Sequence, residues 1–157
     1  MTLIVRSKVV IARKGDGMNK ELMFSSKTDL WSTPQDFFNK LDEEFNFDLD
    51  PCSTHENAKC SKYFTIVEDG LKQSWGGHTV FCNPPYGREL KKWVEKAYNE
   101  SKKENTRVVM LIPARTDTSY FHDYIYEKAK EIRFLRGRLK FGECKNAAPF
   151  PSMVVVF

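Results

Sequence analysis

The chain lacks the features that are typical of membrane, zinc-binding and disulfide-bonded proteins. No apolar run approaches the roughly 18–20 residues that a membrane span needs, and the longest runs, "VVVF" and "VVMLI", have the length of strands. The four cysteines form no C-x-x-C pair, and no histidine lies at metal-ligand spacing from them. We therefore expect reduced thiols in the cytoplasm, with neither a zinc site nor a disulfide framework.

The composition that is present is that of one ordinary globular domain. The chain has 157 residues, of which 41% are apolar and 29% are charged, which is enough for a single core. Its formal net charge of +4 suits a nucleic-acid partner without establishing one. Because residues 1–24 show no sustained periodicity, we expect a disordered tail or an over-long start there, ahead of a folded domain at 25–157.

Short hydrophobic strands alternate with amphipathic helices along this domain. Thr33 and Pro34 suit a helix N-cap and first helical position, and the apolar residues that follow repeat every four positions. A second helix is expected around Trp93, and a third, capped by Asp117 or Thr118, is expected to extend to about residue 130. The predicted strands are "FDLDP", "TVFC", "RVVMLIP", "EIRFL" and "SMVVVF". The alternation indicates an α/β domain with a mostly parallel sheet.

Three of the predicted strands end in polar or proline-rich segments. These segments are Asp50-Pro51, Asn83-Pro84-Pro85-Tyr86 and Pro113-Ala114-Arg115. Ligands of parallel α/β sheets bind beyond the carboxyl ends of the strands. We therefore expect the three segments to line one crevice.

The tetrapeptide Asn83-Pro84-Pro85-Tyr86 is the most distinctive of these strand ends. The two prolines lack amide donors and have fixed φ, so the carbonyl of Pro84 is rigidly held. With the side-chain oxygen of Asn83 it offers two acceptors to one amine, while the ring of Tyr86 offers a stacking surface. Two such acceptors disperse the positive charge that develops when a planar, weakly nucleophilic amine is methylated. The structural alternative is a strand-terminating turn with a packed tyrosine.

The ordered set of motifs resembles the phage-type DNA N6-adenine methyltransferase (Dam) family. The tetrapeptide matches the (D/N/S)-P-P-(Y/F/W) motif of amino-group methyltransferases that depend on S-adenosylmethionine. The accompanying segments are "WSTP" at 31–34, "FDLDP" at 47–51, "DGL" with a later tryptophan at 69–75, "LIPART" at 111–116 and "GRLKF" at 137–141. The resemblance implies a small Rossmann-like fold and methyl transfer from S-adenosylmethionine to N6 of adenine in DNA, by a phage or prophage protein in its host.

The resemblance also implies roles for individual residues. Asn83, Pro84, Pro85 and Tyr86 would hold a flipped adenine, with no metal and no covalent intermediate. The segment at 31–34 and two aspartates, Asp50 and Asp69, would contact the cofactor. The structural alternative for 31–34 is a capped helix start with a core tryptophan, and the alternative for each aspartate is a turn. The residues expected to contact the cofactor are Trp31, Thr33, Pro34, Asp50 and Asp69.

Basic residues near the motifs are candidates for DNA contact. Arg88 follows the tetrapeptide, and Arg133, Arg136, Arg138 and Lys140 surround "GRLKF", where they would hold phosphates. The structural alternative is a set of charges that only solvate the surface. We expect DNA as the partner, no membrane, and a monomer.

The sequence departs from the commoner methyltransferase pattern in one respect. The glycine-rich F-x-G-x-G loop is absent, and "DPCSTHENA" stands in its place. The stretch from Asp50 to Asn83 is also too short for a full Rossmann path, because each β-α-β unit takes about 30 residues. We therefore expect a trimmed sheet. Two alternatives remain open: methylation of another planar amine (cytosine N4, RNA adenine or protein glutamine), and a non-catalytic nucleic-acid-binding module with the same fold.

Overall fold

The computed structural model describes residues 31–142 and 146–157, so the predicted tail at 1–24 lies outside the described residues. Within the described residues, two α-helices and a five-residue π-helical turn accompany six strands. The helices are α1 (Gln35–Phe45) and α2 (Leu90–Ser101), the π-helical turn is Phe121–Ile125, and the strands are β1 (Leu49–Asp50), β2 (Lys62–Tyr63), β3 (Thr79–Cys82), β4 (Arg107–Pro113), β5 (Glu131–Phe134) and β6 (Ser152–Val156).

The strands of the described residues form one sheet in the order β2-β1-β3-β4-β6-β5. Strands β2, β1, β3 and β4 are parallel, whereas β6 lies antiparallel between β4 and β5. The predicted α/β fold with a mostly parallel sheet is confirmed. Because β4 and β5 are both antiparallel to β6, they run in the same direction. The carboxyl ends of β1, β3, β4 and β5 therefore lie at one edge of the sheet, which we call the carboxyl edge.

The trimming of the sheet is concentrated between β1 and β3. The connections from β1 to β2 and from β2 to β3 contain no α-helix, and both β1 and β2 are two residues long. The carboxyl edge beside β1 is therefore built from loops.

The central strand β4 and helix α2 match their predicted patterns. Residues 108–112 are fully buried, as expected for a strand covered on both faces. The apolar stripe of α2 is buried against the sheet at Leu90, Trp93, Val94 and Ala97. This core fixes β3 and its proline-rich end between β1 and β4.

Two local predictions were wrong. Helix α1 begins after Pro34, which takes the N-cap position without a side-chain cap, so Thr33 does not cap the helix. The third helix does not reach residue 130. The backbone N–H of Tyr126 donates to the Phe121 carbonyl at 2.7 Å, Tyr126 is extended, and Glu127 has a φ of 58°. The positive φ turns the chain directly into β5.

A buried carboxylate joins the "DGL…W" segment to α2. Glu100 is 4% exposed, accepts the backbone N–H of Trp75 at 3.1 Å, and forms ion pairs with Lys96 at 2.5 Å and Lys103 at 2.6 Å. Burial raises the pKa of Glu100, but the hydrogen bonds from the two lysines and Trp75 outweigh burial and lower it. The indole N–H of Trp75 in turn donates to the Gly70 carbonyl at 2.9 Å. This network therefore fixes the position of Gly70.

Replacing Glu100 with alanine is expected to lower the free energy of unfolding by about 2 kcal/mol, because the buried N–H of Trp75 loses its acceptor. Urea unfolding followed by circular dichroism measures this change. The control is Lys103→Ala, which removes a half-exposed partner and should cost less than about 1 kcal/mol. Equal losses for the two variants would show that Glu100 contributes only a surface ion pair.

Candidate active site

The three polar strand ends lie at the carboxyl edge, but they do not line one crevice as predicted, because the crevice beside β1 includes only Pro51 from the three segments. Asn83 is the first residue after β3, and β3 pairs with β1 on one side and β4 on the other. Asp50 ends β1 and Pro113 ends β4, so the segments that follow lie on either side of the tetrapeptide. Parallel pairing of neighbouring strands thus produces the site.

The side chain of Asn83 is completely buried and held in one orientation. Its Nδ2 donates to the Trp31 carbonyl at 2.6 Å and to Thr33 Oγ1 at 2.8 Å. A carbonyl only accepts, so the amide nitrogen must be the atom that faces Trp31. Asn83 Oδ1 then has no hydrogen-bond partner among the described residues. Leaving a buried acceptor unpaired costs about 1–3 kcal/mol, which makes this oxygen a candidate for binding a donor from a ligand.

The ring of Tyr86 is covered by other aromatic side chains. Its centroid lies 6.1 Å from that of Phe141 and 5.6 Å from that of Phe150, both in edge-on geometry, and the side chain is 4% exposed. The hydroxyl donates to the Leu111 carbonyl at 3.0 Å, and burial raises its pKa well above the ordinary value. The expectation of an open stacking surface is therefore not met in this conformation, because the loop after β5 brings two phenylalanines onto the ring.

Trp31 completes an aromatic cluster around the tetrapeptide. Its ring centroid lies 5.5 Å from that of Phe141 and 4.9 Å from that of Phe150. The cluster, Trp31, Tyr86, Phe141 and Phe150, encloses the strand end in apolar surface, and Pro84 and Pro85 are also buried. Hydrogen bonds made inside such an enclosure are stronger than those made in water.

The "WSTP" segment reaches the tetrapeptide. The carbonyl of Trp31 and the hydroxyl of Thr33 both contact the Asn83 amide, while the Pro34 carbonyl accepts the Phe38 N–H at 3.0 Å in the first turn of α1. The contacts of Trp31 and Thr33 are therefore with the candidate catalytic residue. The sequence pattern at 31–34 could not show this, because the two segments are distant in the chain.

Asp50 has both carboxylate oxygens occupied by the loop that follows β1. Oδ1 accepts the Cys52 N–H at 3.3 Å, and Oδ2 accepts the Lys59 N–H at 3.0 Å. Burial raises the pKa of Asp50 to about 6, and the two backbone hydrogen bonds offset only part of that effect. These contacts match the structural alternative, in which Asp50 stabilises a turn. Here the carboxylate holds both ends of the loop at 52–59.

The raised pKa of Asp50 predicts a pH dependence of stability. The folded state keeps the proton up to about pH 6, whereas the unfolded state loses it near 3.8, so the free energy of unfolding should fall as pH rises between these values. The expected loss is about 3 kcal/mol and should disappear in Asp50→Asn. Carboxyl NMR titration together with urea unfolding tests this. A measured pKa near 4 for Asp50 would contradict it.

A small crevice opens beside the end of β1, and we call it the β1 crevice. Two of its lining residues, Pro51 and Gly70, directly follow Asp50 and Asp69, the aspartates that were predicted to contact the cofactor. Asp69 has a φ of 57° and accepts the Leu71 N–H at 3.2 Å, so it shapes the turn at Gly70. The lining residues are Pro51, Cys52, Ser53, Thr65, Ile66, Gly70 and Trp93.

Ser53 is a candidate ligand-binding residue that the sequence reasoning missed. It is 3% exposed, and its Oγ has no hydrogen-bond partner among the described residues, although it lines the β1 crevice. Its position in "DPCS", where the glycine-rich loop was expected, was the one available signal. A buried hydroxyl of this kind fits a polar group of a bound ligand.

The predicted DNA-contacting residues are exposed and lie on loops of the carboxyl edge. Arg88 lies between β3 and α2, and three more basic residues follow β5, where Arg138 also donates to the Ala148 carbonyl at 3.2 Å. Arg133 differs, because it pairs with both Glu44 and Glu131 and is therefore poorly placed to hold phosphate. The exposed residues of the predicted set are Arg88, Arg136, Arg138 and Lys140.

Arg115 was not among the predicted DNA contacts, but like them it is exposed on a loop at the carboxyl edge. It is exposed in the loop after β4, and its guanidinium lies 5.9 Å from the ring centroid of Phe150. It therefore lies over the aromatic cluster.

In the described part of the chain, no helix is long and apolar enough to span a bilayer.

Comparison with known proteins decides the family. The model of the family DNA N-6-adenine-methyltransferase (Dam) matches residues 21–156. The chain belongs to the Dam family. Its members are adenine-specific DNA methyltransferases, so the predicted resemblance and enzyme class are confirmed.

Dam-family relatives are found in phages. The DNA N-6-adenine-methyltransferase of Haemophilus phage HP1 is 34% identical over 148 residues, covering 89% of this chain and 84% of the relative. That of Escherichia phage T1 is 34% identical over 113 residues, covering 71% of this chain and 46% of the relative. A solved structure from Pyrococcus horikoshii, named as a candidate RNA methyltransferase, covers 61% of this chain and 50% of its own at 14% identity and a TM-score of 0.42. That likeness is too low to bear on function.

Proposed function

We propose that this protein transfers a methyl group from S-adenosylmethionine to the N6 amine of adenine in DNA. The observation that carries the proposal is the fully buried Oδ1 of Asn83, which has no partner within residues 31–142 and 146–157 and precedes the rigid Pro84 carbonyl in a Dam-family chain. The family supports adenine as the target. The two acceptors support an exocyclic amine as the group that is bound.

The two acceptors of the tetrapeptide act on the hydrogens of the amine. Asn83 Oδ1 and the Pro84 carbonyl each accept one N6 hydrogen, which favours a pyramidal nitrogen whose lone pair is available for attack. As the N–C bond forms, the same acceptors stabilise the developing positive charge. Asn83 is neutral throughout, and the extra proton of the methylated amine leaves to water. When bound, S-adenosylmethionine supplies the methyl group and leaves as a neutral thioether.

We place the cofactor beside the β1 crevice, which in this conformation has no room even for a water molecule, so the loops around it would have to move apart. It lies at the carboxyl edge beside β1. The hydroxyl of Ser53, which has no partner among the described residues, together with the loop backbone at Pro51 and Gly70 would hold polar groups of the cofactor. Asp50 and Asp69 would act indirectly, since their side chains hold the loops that carry these residues.

The adenine must displace an aromatic neighbour to stack on Tyr86. An edge-on aromatic pair contributes about 0.5–1.5 kcal/mol, whereas base stacking on an aromatic side chain contributes about 1–3 kcal/mol. The figure for the aromatic pair leaves out apolar burial, and moving buried Phe141 or Phe150 into water would cost about 1.5–3 kcal/mol more. The exchange is therefore favourable only where the displaced ring keeps apolar contacts, including those with the base. The remaining cost is the few kcal/mol needed to flip the base from the duplex.

The basic loops of the carboxyl edge would bind the DNA backbone around the flipped base. Arg88, Arg115 and the three residues after β5 lie on loops at the same edge as Asn83, because β3, β4 and β5 all end there. Affinity for DNA should therefore fall steeply as the salt concentration rises.

Labelled methyl transfer separates this proposal from its alternatives. The purified protein is incubated with methyl-labelled S-adenosylmethionine and duplex DNA, single-stranded DNA, RNA or protein, and the products are digested to nucleosides or amino acids. Label in N6-methyladenine from DNA supports the proposal, while label in N4-methylcytosine, RNA adenine or glutamine overturns the choice of substrate. No label from folded protein, combined with no heat of cofactor binding, would indicate a non-catalytic module.

A further inference from the structure

We infer that Thr33 is a positioning residue for methyl transfer, whose hydroxyl holds the Asn83 amide so that Oδ1 remains free for the substrate amine. This inference rests on the proposed function. It goes beyond it by assigning to Thr33, for which the sequence suggested a cofactor contact or a helix cap, a defined task in holding Asn83.

The contacts of the amide show why two acceptors are needed. The Trp31 carbonyl accepts one Nδ2 hydrogen at 2.6 Å, and Thr33 Oγ1 accepts at 2.8 Å. Together they satisfy both N–H groups of Asn83, so no amide hydrogen remains to seek another partner. The oxygen is then the one side-chain atom of Asn83 without a partner among the described residues.

Burial makes the Thr33 contact consequential. Thr33 is 1% exposed and Asn83 is 0% exposed, so water does not replace a lost hydroxyl without rearrangement. Without that acceptor, one N–H would be buried and unpaired at a cost of about 1–3 kcal/mol, and the amide would rotate or shift to relieve it. A shift of about 1 Å at a reacting group lowers the rate by up to about 10²-fold.

The start of α1 supports this assignment independently. A threonine beside a helix start commonly caps it, which stabilises the helix by about 1 kcal/mol. Here no described side chain caps α1, and the Thr33 hydroxyl contacts Asn83, fifty residues away in the chain. The hydroxyl is thus used for a long-range contact with the tetrapeptide.

The test compares Thr33→Val, which keeps the shape of the side chain and removes the acceptor, with Thr33→Ser, which keeps the hydroxyl. We expect Thr33→Val to lower kcat at least about tenfold while KM for DNA and Kd for S-adenosylmethionine stay within about threefold. Thr33→Ser should retain kcat within about threefold. Thr33→Ala takes the place of the valine variant if the latter does not fold.

Thr106→Val is the matched control. Thr106 is also buried and its hydroxyl accepts a backbone N–H, from Gly77 at 2.8 Å, but it lies just before β4, at the opposite edge of the sheet. This variant should lose stability without losing kcat. If Thr33→Val resembles Thr106→Val, or if Thr33→Ser loses as much kcat as Thr33→Val, Thr33 has only a structural role.

A second readout does not depend on activity. In ¹⁵N-labelled protein, both side-chain N–H protons of Asn83 should be protected from exchange in the wild type, and one should lose protection in Thr33→Val. Unchanged protection would overturn the positioning role even in an active enzyme. An inactive wild type in which Thr33→Val does lose this protection would instead overturn the proposed function and leave the contact established.

Discussion

Asn83→Ala is expected to lower kcat for methyl transfer by about 10²–10³-fold, the usual effect of removing one preorganised group that stabilises developing charge. The variant removes the acceptor with no partner among the described residues, while the Pro84 carbonyl stays in place. Single-turnover transfer of labelled methyl groups to duplex DNA measures the effect. Calorimetry should show cofactor affinity within about threefold of the wild type, since Asn83 does not line the β1 crevice.

Asn83→Asp is the informative companion to this variant. The aspartate keeps an acceptor and is one of the residues that the family motif permits, but it places a carboxylate oxygen against the Trp31 carbonyl, where the wild type has a hydrogen bond of 2.6 Å. We expect more activity than in Asn83→Ala together with a lower Tm. Activity of Asn83→Ala within a few-fold of the wild type would show that Oδ1 does not bind the reacting amine.

Gly70→Ala is expected to disrupt both the fold and the proposed cofactor site. An added Cβ would lie 1.9 Å from the Pro51 carbonyl oxygen, a backbone atom that cannot move aside locally. Overpacking typically costs about 1–3 kcal/mol and occasionally more, so we expect at least the upper value, or a Tm lowered by roughly 10 °C. Because Pro51 and Gly70 both line the β1 crevice, affinity for S-adenosylmethionine should also fall at least about tenfold.

Two neighbouring glycines provide controls for Gly70→Ala. At Gly76 an added Cβ meets the flexible side chain of Lys103 at 3.2 Å, and at Gly77 it meets nothing within 4 Å. Gly77 has a φ of 79°, so Gly77→Ala should cost about 1 kcal/mol through backbone strain alone. Thermal unfolding and cofactor titration should show the largest effects at residue 70. Equal effects at all three positions would rule out the clash as the cause.

Patterns with strong local periodicity were predictable from the sequence. Strand β4 is a continuous apolar run because both of its faces are covered, and α2 shows its buried stripe directly. The convergence of Asp50, Asn83 and Pro113 at one edge also followed, because the topology of a parallel sheet dictates it. Strand β2 was missed, since two residues that are exposed or half-buried carry no periodicity.

Contacts between distant segments were not predictable. Nothing in "WSTP" indicates that Thr33 contacts Asn83, and the local pattern favoured a helix cap instead. Likewise, the tetrapeptide could not show that Phe141 and Phe150 pack on Tyr86, because that depends on how the loop after β5 folds back. The hydrogen bonds from the loop at 52–59 to Asp50 were not predictable for the same reason, because they depend on how that loop folds back.

The most direct test is a crystal structure of the protein with a non-reactive analogue of S-adenosylmethionine and a duplex that contains its target adenine. We expect a flipped adenine whose N6 lies within about 3.2 Å of both Asn83 Oδ1 and the Pro84 carbonyl. A bound adenine whose amine is held by other groups, with Asn83 Oδ1 still unpaired or bonded to the protein, would contradict it.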